Sequence, residues 1–225
     1  MVSAYFVADT IFTLTDVSTQ CGIARTLTGL LVEGNYDLDA IHASAGRITH
    51  RFRLSITVPR TFPLEPPAVF ELDGAIPRTP DYHVNGGDGS LCLGSPLALM
   101  AALQSSADLA DFLSACLRPF LYAVAVKLVQ GGDFVFGELL HGSAGVVQDL
   151  AARLAIPESA VMYALSLLGM RKRVANKCQC PCGSGRRLGT CPTNIAVRSV
   201  RTLASRSWFK AQRHALSIAP ARVRK

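Results

Sequence analysis

Seven cysteines occur in the 225 residues, and four of them, Cys178, Cys180, Cys182 and Cys191, lie within a single short stretch. The thiolate is the reactive and metal-binding form of cysteine. In a reducing compartment such a cluster points to metal. Zn²⁺ takes four ligands in a tetrahedron, so a short loop must bend sharply to deliver two of them. Gly183 and Gly185 permit that bend. The count predicts a structural zinc site, since a full thiolate set leaves no open position for chemistry. A disulfide or a cluster of free thiols is the metal-free alternative.

A second chemistry is offered by Tyr82-His83-Val84-Asn85-Gly86-Gly87-Asp88-Gly89-Ser90-Leu91-Cys92-Leu93. A cysteine on a glycine-rich loop has the access a nucleophile needs. Asn85, across a turn made by Gly86, Gly87 and Gly89, is placed to fold back towards the sulfur. Its amide N–H₂ would then stabilise an oxyanion at a thioester carbonyl. A small apolar residue in a loop is the alternative reading of Cys92. Cys116 falls on the apolar stripe of a helix and is expected in the core. Cys21 receives no role.

The elements that must position these residues read as strands first and helices later. Thr26–Glu33 predicts a strand ending at Gly34-Asn35, followed by a polar connection over 35–46. Arg47–Val58 alternates: Ile48, Phe52, Leu54, Ile56 and Val58 face one way, with His50 the exception. This is a half-buried, antiparallel strand, stopped by Pro59. Pro63, Pro66 and Pro67 make a rigid extended segment that cannot join a ladder. Ala68–Leu72 is a short strand and Asp73-Gly74 a turn. Residues 73–96 form a long irregular stretch of the kind that is usually functional. Ser105-x-x-Asp108 opens a helix, Pro119 kinks or splits it, and Gly131-Gly132 ends it. Val146–Leu154, Ser159–Leu168 and one helix over 196–218 follow, the last docked by Trp208. The order predicts an α+β fold rather than a parallel βαβ sheet.

Hydrophobic residues make up 49% of the chain, which excludes disorder throughout. No run of roughly 18 uncharged apolar residues is present, so no membrane span is expected. The first residues lack a basic region and reach Asp9 early, so no signal peptide is expected either and a cytoplasmic location follows. The net charge of +7 is unevenly held: all 16 acidic residues precede Arg171. Residues 171–225 are basic throughout, which predicts an anionic partner. With one Trp and no aromatic interleaving, contact with nucleic acid would be to phosphate and sensitive to salt.

The succession Phe62-Pro63-Leu64-Glu65-Pro66-Pro67, His83-Val84-Asn85 and Gly89-Ser90-Leu91-Cys92-Leu93 resembles the ubiquitin-conjugating enzyme family over about residues 25–130. That family has an antiparallel four-stranded meander, a Tyr-Pro-x-x-Pro-Pro turn after the third strand, and a His-Pro-Asn tripeptide before the active cysteine. The resemblance implies a cysteine transferase. Cys92 would take the C-terminus of a ubiquitin-like modifier as a thioester, from an activating enzyme that uses ATP, and pass it to an amine of a target protein. Asn85 would stabilise the oxyanion, and His83 would be structural in preference to a general base. Asp88 would help to deprotonate the amine or, more simply, would hold the turn. Val84 replaces the middle proline, and the interval from Asn85 to Cys92 is about one residue shorter than in the family. Residues 1–22 show no counterpart of the helix that docks the activating enzyme. These departures resemble the divergent bacterial relatives, some of which belong to antiphage defence systems.

Cys180-Pro-Cys182-Gly-Ser-Gly-Arg-Arg-x₃-Cys191 resembles the SEC-C zinc motif, which normally ends Cys-His or Cys-Cys. Here Pro192 holds the final position. Cys180, Cys182 and Cys191 match the motif, and Cys178 is the candidate fourth ligand, with His214 or a water as alternatives. The organisation expected is a ubiquitin-conjugating-enzyme-like domain over 1–140, a helical extension over 141–172, and a zinc knuckle with a basic tail over 173–225. A rival reading is a non-catalytic zinc-containing adaptor that binds nucleic acid or an acidic protein.

Overall fold

The computed structural model describes residues 22–137, 140 and 142–218. Cys21, the stretch in which no docking helix was expected, and the end of the basic tail lie outside the described residues. The chain divides into two compact units. One comprises Met1–Gly94 and Ala98–Glu138, the other Ser95–Leu97 and Leu139–Lys225. The segments expected as a helical extension and as a zinc knuckle with its tail therefore share one unit.

In the first unit β1 (Gly22–Arg25), β2 (Gly29–His42), β3 (Gly46–Pro59) and β4 (Ala68–Glu71) form an antiparallel sheet in chain order. The mixed α+β reading holds. The strand expected to stop at Gly34-Asn35 does not. β2 continues through that dipeptide because β3 pairs with it along its whole length, from Gly29 opposite Pro59 to His42 opposite Gly46. Beyond Asn35, Leu38 and Ala40 are buried while Asp37 and Asp39 face outward. Asp37 pairs with Arg51 directly opposite, and Asp39 with Arg47 on the diagonal. Exposed, solvent-screened pairs of this kind add little stability, so the register rests chiefly on the buried face.

On β3 the alternation is as expected, with Ile48, Phe52, Leu54, Ile56 and Val58 all buried. His50 is half-buried and stacks on Phe52 at 4.4 Å between ring centroids. The proline-rich turn joins β3 to β4, and its Phe62-Pro63 peptide is cis. Glu71 ends β4 with a buried carboxylate that accepts the N–H groups of Asp73, Gly74 and Ile76. It thereby holds the turn in which Gly74 takes a φ of 77°.

Residues 73–95 are irregular apart from a 3₁₀ turn over Pro80–Tyr82, and a helix the sequence reading lacked follows, α1 (Pro96–Ser105). Ser105 belongs to the end of that helix and bonds back to the Ala101 carbonyl, so it is not the cap of the next one. Asp108 is the cap, accepting the Ala110 N–H at 2.7 Å. From it run α2 (Leu109–Phe112), a π-helical turn over Leu113–Leu117 and α3 (Arg118–Gln130). Pro119 does not split this helix, which runs unbroken from Leu109 to Gln130. The wider turn, with Arg118 N–H bonded to the Leu113 carbonyl, absorbs the missing donor and the bulk of the ring.

The helix Leu109–Gln130 is long and apolar enough by composition to cross a membrane, with half of its most apolar window buried. Phe120 to Val126 are all buried, in one cluster with the inner face of the sheet. It serves as the core helix of this unit. Tyr122 Oη ties it to the Gly46 carbonyl and Arg118 ties it to the Asp39 carbonyl. Cys116, expected in the core, is only half-buried.

The second unit holds α4 (Ser143–Leu154), α5 (Val161–Gly169), α6 (Lys172–Ala175), α7 (Asn194–Leu203) and α8 (Arg206–Ile218). Its core contains Leu150, Leu154, Leu165, Leu168, Val197, Val200 and Phe209. The single helix expected over 196–218 is broken, because Ser205 starts a new one by accepting the Trp208 N–H on its hydroxyl. The break turns Phe209, rather than Trp208, into the buried anchor. α8 packs along α5. Arg201 of α7 donates to the carbonyls of Leu167, Leu168 and Met170 at the C-terminal end of α5, where a helix presents its negative end.

Candidate functional site

Cys92 lies on a two-stranded turn that begins one irregular segment after β4. Val84 bridges Leu91, Asn85 N–H bonds to the Ser90 carbonyl, and Cys92 N–H bonds to the His83 carbonyl at 2.7 Å. Leu91 N–H is in turn bonded to the Val69 carbonyl of β4. Val84 and Leu91 are buried in the core of the unit. One antiparallel bridge, one backbone bond to β4 and an apolar anchor therefore fix the sulfur-bearing segment against the sheet. Gly89 makes the turn possible with a φ of 77°.

The neighbours expected to assist Cys92 are engaged with one another. Asn85 Nδ2 donates to Ser90 Oγ at 2.9 Å. Asp88 Oδ1 accepts both the N–H and the hydroxyl of Ser90. The Ser90 backbone N–H, followed by its hydroxyl, holds the Asp88 carboxyl below its ordinary range, which makes it a weaker base. Its place is that of a turn residue. His83 sits at a φ of 53° and meets Phe134 edge-on at 4.6 Å between centroids. Its ring is packed against an aromatic ring, and its carbonyl accepts the Cys92 N–H. Ser90 is the residue that sequence reasoning passed over. Its position two residues before the cysteine, in the reach of Asp88, was the available signal.

Cys92 itself is half-buried and is a free thiol. Burial pushes its titration upward, opposed in part by the Gly94 backbone N–H. At neutral pH the group is therefore a neutral thiol. A thiol of high pKa is a poor leaving group once acylated, which suits retention of an acyl group.

The cysteine-rich loop lies in the second unit. Gln179 bridges Arg187, Cys180 N–H bonds to the Arg186 carbonyl, and Leu188 N–H bonds to the Cys178 carbonyl. Gly183 and Gly185 take φ values of 78° and 71°. A 3₁₀ turn over Leu188–Thr190 then delivers Cys191, and Asn194 closes the loop by donating to the Leu188 carbonyl at 2.8 Å.

The loop brings Cys180, Cys182 and Cys191 together, with their sulfurs all within 4.8 Å of one another. Cys182 and Cys191 are 3.5 Å apart. A tetrahedral Zn²⁺ with Zn–S bonds near 2.3 Å sets its sulfurs about 3.8 Å apart, so these three fit a metal of that kind. Cys178 is not part of the group. Its Sγ makes a long contact of 3.6 Å with the Val174 carbonyl at the end of α6. His214 lies exposed on α8, also outside the group.

The electrostatics favour thiolates at two of the three positions. The Ser184 hydroxyl, then that of Thr193, brings Cys182 down to about 6. The Thr193 hydroxyl, then that of Ser184, lowers Cys191. Cys180, buried under the loop, is pushed up to about 11 by desolvation. A cation bound among the three would supply the charge that Cys180 lacks.

No family model matches the sequence, and neither a curated protein nor a solved structure matches the chain.

Proposed function

We propose that this chain is a ubiquitin-conjugating-enzyme-like transferase of the divergent bacterial kind, working in the cytoplasm and serving antiphage defence. The observation that carries the reading is the position of Cys92. It follows a four-stranded antiparallel meander and a proline-rich turn, and it is locked by its backbone opposite His83. In this reading the Cys92 thiolate attacks the thioester held on an activating enzyme. The sulfur of that enzyme leaves as thiolate, and the C-terminus of a ubiquitin-like modifier is then bonded to Cys92. An amine of the target attacks the same carbonyl, and Cys92 departs and recovers a proton. The upward shift of its thiol slows departure from the adduct whichever nucleophile attacks.

Cys180, Cys182 and Cys191 would hold a structural zinc ion, whose contribution is to tie the loop to the start of α7. The test is to combine the chain with a ubiquitin-type activating enzyme, a ubiquitin-like modifier and ATP, and to run non-reducing gels. A thiol-sensitive adduct that disappears in Cys92→Ser supports the reading. An adduct unchanged in that variant refutes it.

One observation favours a second reading, that of an adaptor for nucleic acid. Among the described residues, no Lys or Arg from 171 onward has a carboxylate partner. Arg206, Lys210 and Arg213 follow one another at helical spacing on α8, all exposed. Binding of DNA or RNA by the full chain carrying Cys92→Ala, with affinity falling steeply as salt rises, would support it. Affinity indifferent to salt would refute it.

A further inference from the structure

The three sulfurs that come together leave a tetrahedral metal one ligand short. Cys178 is turned to the Val174 carbonyl, the residue after Cys191 is Pro192, which offers no donor side chain, and no His, Asp or Glu of the described residues joins the group. Ser184 and Thr193 stand close, with their hydroxyl oxygens 3.2 Å from the Cys182 sulfur and 3.6 Å from the Cys191 sulfur respectively. Neutral hydroxyls in these positions donate to thiolates and do not replace a fourth ligand of comparable strength.

We infer that the metal held by Cys180, Cys182 and Cys191 keeps a fourth coordination position open to solvent, and that this position accepts a thiolate from outside the fold. The inference rests on the metal reading given above. Three features carry it beyond that reading. The ligand set is soft, which favours a soft incoming donor over an oxygen ligand. Cys180 and Cys191 are buried while Cys182 is partly exposed, so solvent has one side from which to approach. The loop carries exposed Lys177, Arg186 and Arg187, with no Asp or Glu from residue 171 onward, so the field around the opening favours an anion. An incoming thiol would lose its proton to the buffer, and its sulfur would join those of Cys180, Cys182 and Cys191 as a fourth donor.

The test uses Co²⁺ as a visible probe, added anaerobically to the metal-free full chain with a phosphine reductant. Wild type and Cys178→Ser should each take up about one Co²⁺ with the same sulfur-to-cobalt absorption. Adding 2-mercaptoethanol should then raise that absorption by about a third, as three sulfur ligands become four, and should shift the visible bands saturably. Loss of about a quarter of the absorption in Cys178→Ser would show that Cys178 closes the site and would overturn the inference while leaving the metal reading intact. A wild-type spectrum indifferent to 2-mercaptoethanol would overturn it as well, and needs no variant to fold. Failure of the chain to bind Co²⁺ would overturn the metal reading and the inference together.

Discussion

Burial of Cys92 makes a quantitative statement about its reactivity. An ordinary cysteine titrates near 8.5, which leaves about 3% thiolate at pH 7. Desolvation moves Cys92 above its ordinary value, and the Gly94 N–H recovers only part of that shift. Cys116, half-buried in the π turn without such a donor, is pushed up to about 11, for a thiolate fraction of about 0.01% at pH 7. Each unit of higher pKa costs tenfold in thiolate and returns about threefold in nucleophilicity, so the net loss is about threefold per unit.

Alkylation by iodoacetamide, followed site by site by peptide mass spectrometry from pH 6 to pH 10, measures both groups in one sample. The rate at Cys92 should rise about tenfold per pH unit through pH 8 without a plateau, and Cys116 should be the slower of the two. A plateau at Cys92 between pH 7 and pH 8 would mean a thiol of depressed pKa, and would refute the view that burial governs this site. Equal slow labelling of both would remove the case for a reactive loop and favour the adaptor.

Other perturbations test the scaffold. Gly29→Ala would place a methyl 1.9 Å from the Val58 carbonyl oxygen. It should part the start of β2 from β3, with about 2 kcal/mol lost in urea unfolding. Glu71→Ala would strand three N–H groups of the turn after β4 and should cost about 2–3 kcal/mol, with Glu71→Gln costing less because an acceptor remains; urea titration again reads both. Arg201→Met removes the guanidinium from three carbonyls at the end of α5. It should lower stability by about 1.5–3 kcal/mol, seen as an earlier thermal transition, with Arg201→Lys between the two. Chelation of metal from the purified chain should speed hydrogen exchange at the Cys180 and Leu188 amides and leave those of β2 and β3 unchanged.

The parts of the chain that read clearly are those where one physical cause dominates. Residues 47–58 alternate because one face of β3 is buried, and the alternation survives His50. β2 was harder: Gly34-Asn35 has the composition of a turn, and only pairing with β3 decides otherwise. Pro96 opens a helix that its Gly- and Ser-rich approach conceals. No proline or glycine marks the break before Arg206, which depends on a single serine hydroxyl.

At the candidate sites, the order of the motifs is written in the chain, but the hydrogen-bond partners are not. Asn85 had a choice between the sulfur and Ser90, and Cys178 between a metal and a helix carbonyl. Such choices depend on ångström-scale geometry that spacing alone does not carry.

The π turn at Leu113–Leu117 fixes more than the accommodation of Pro119. Each residue advances an α-helix by about 100°, so one residue taken up in a wide turn rotates everything before it relative to everything after it. Leu109 therefore packs against the core cluster that holds Phe120 and Val124, and Phe112 is buried, only in this particular phase. Deleting a single residue from 113–117 would yield a more regular helix and a worse protein, because the first turn would swing its apolar side away from the core. The segment is thus a length-counting device, tolerant of changes in side chain and intolerant of changes in number.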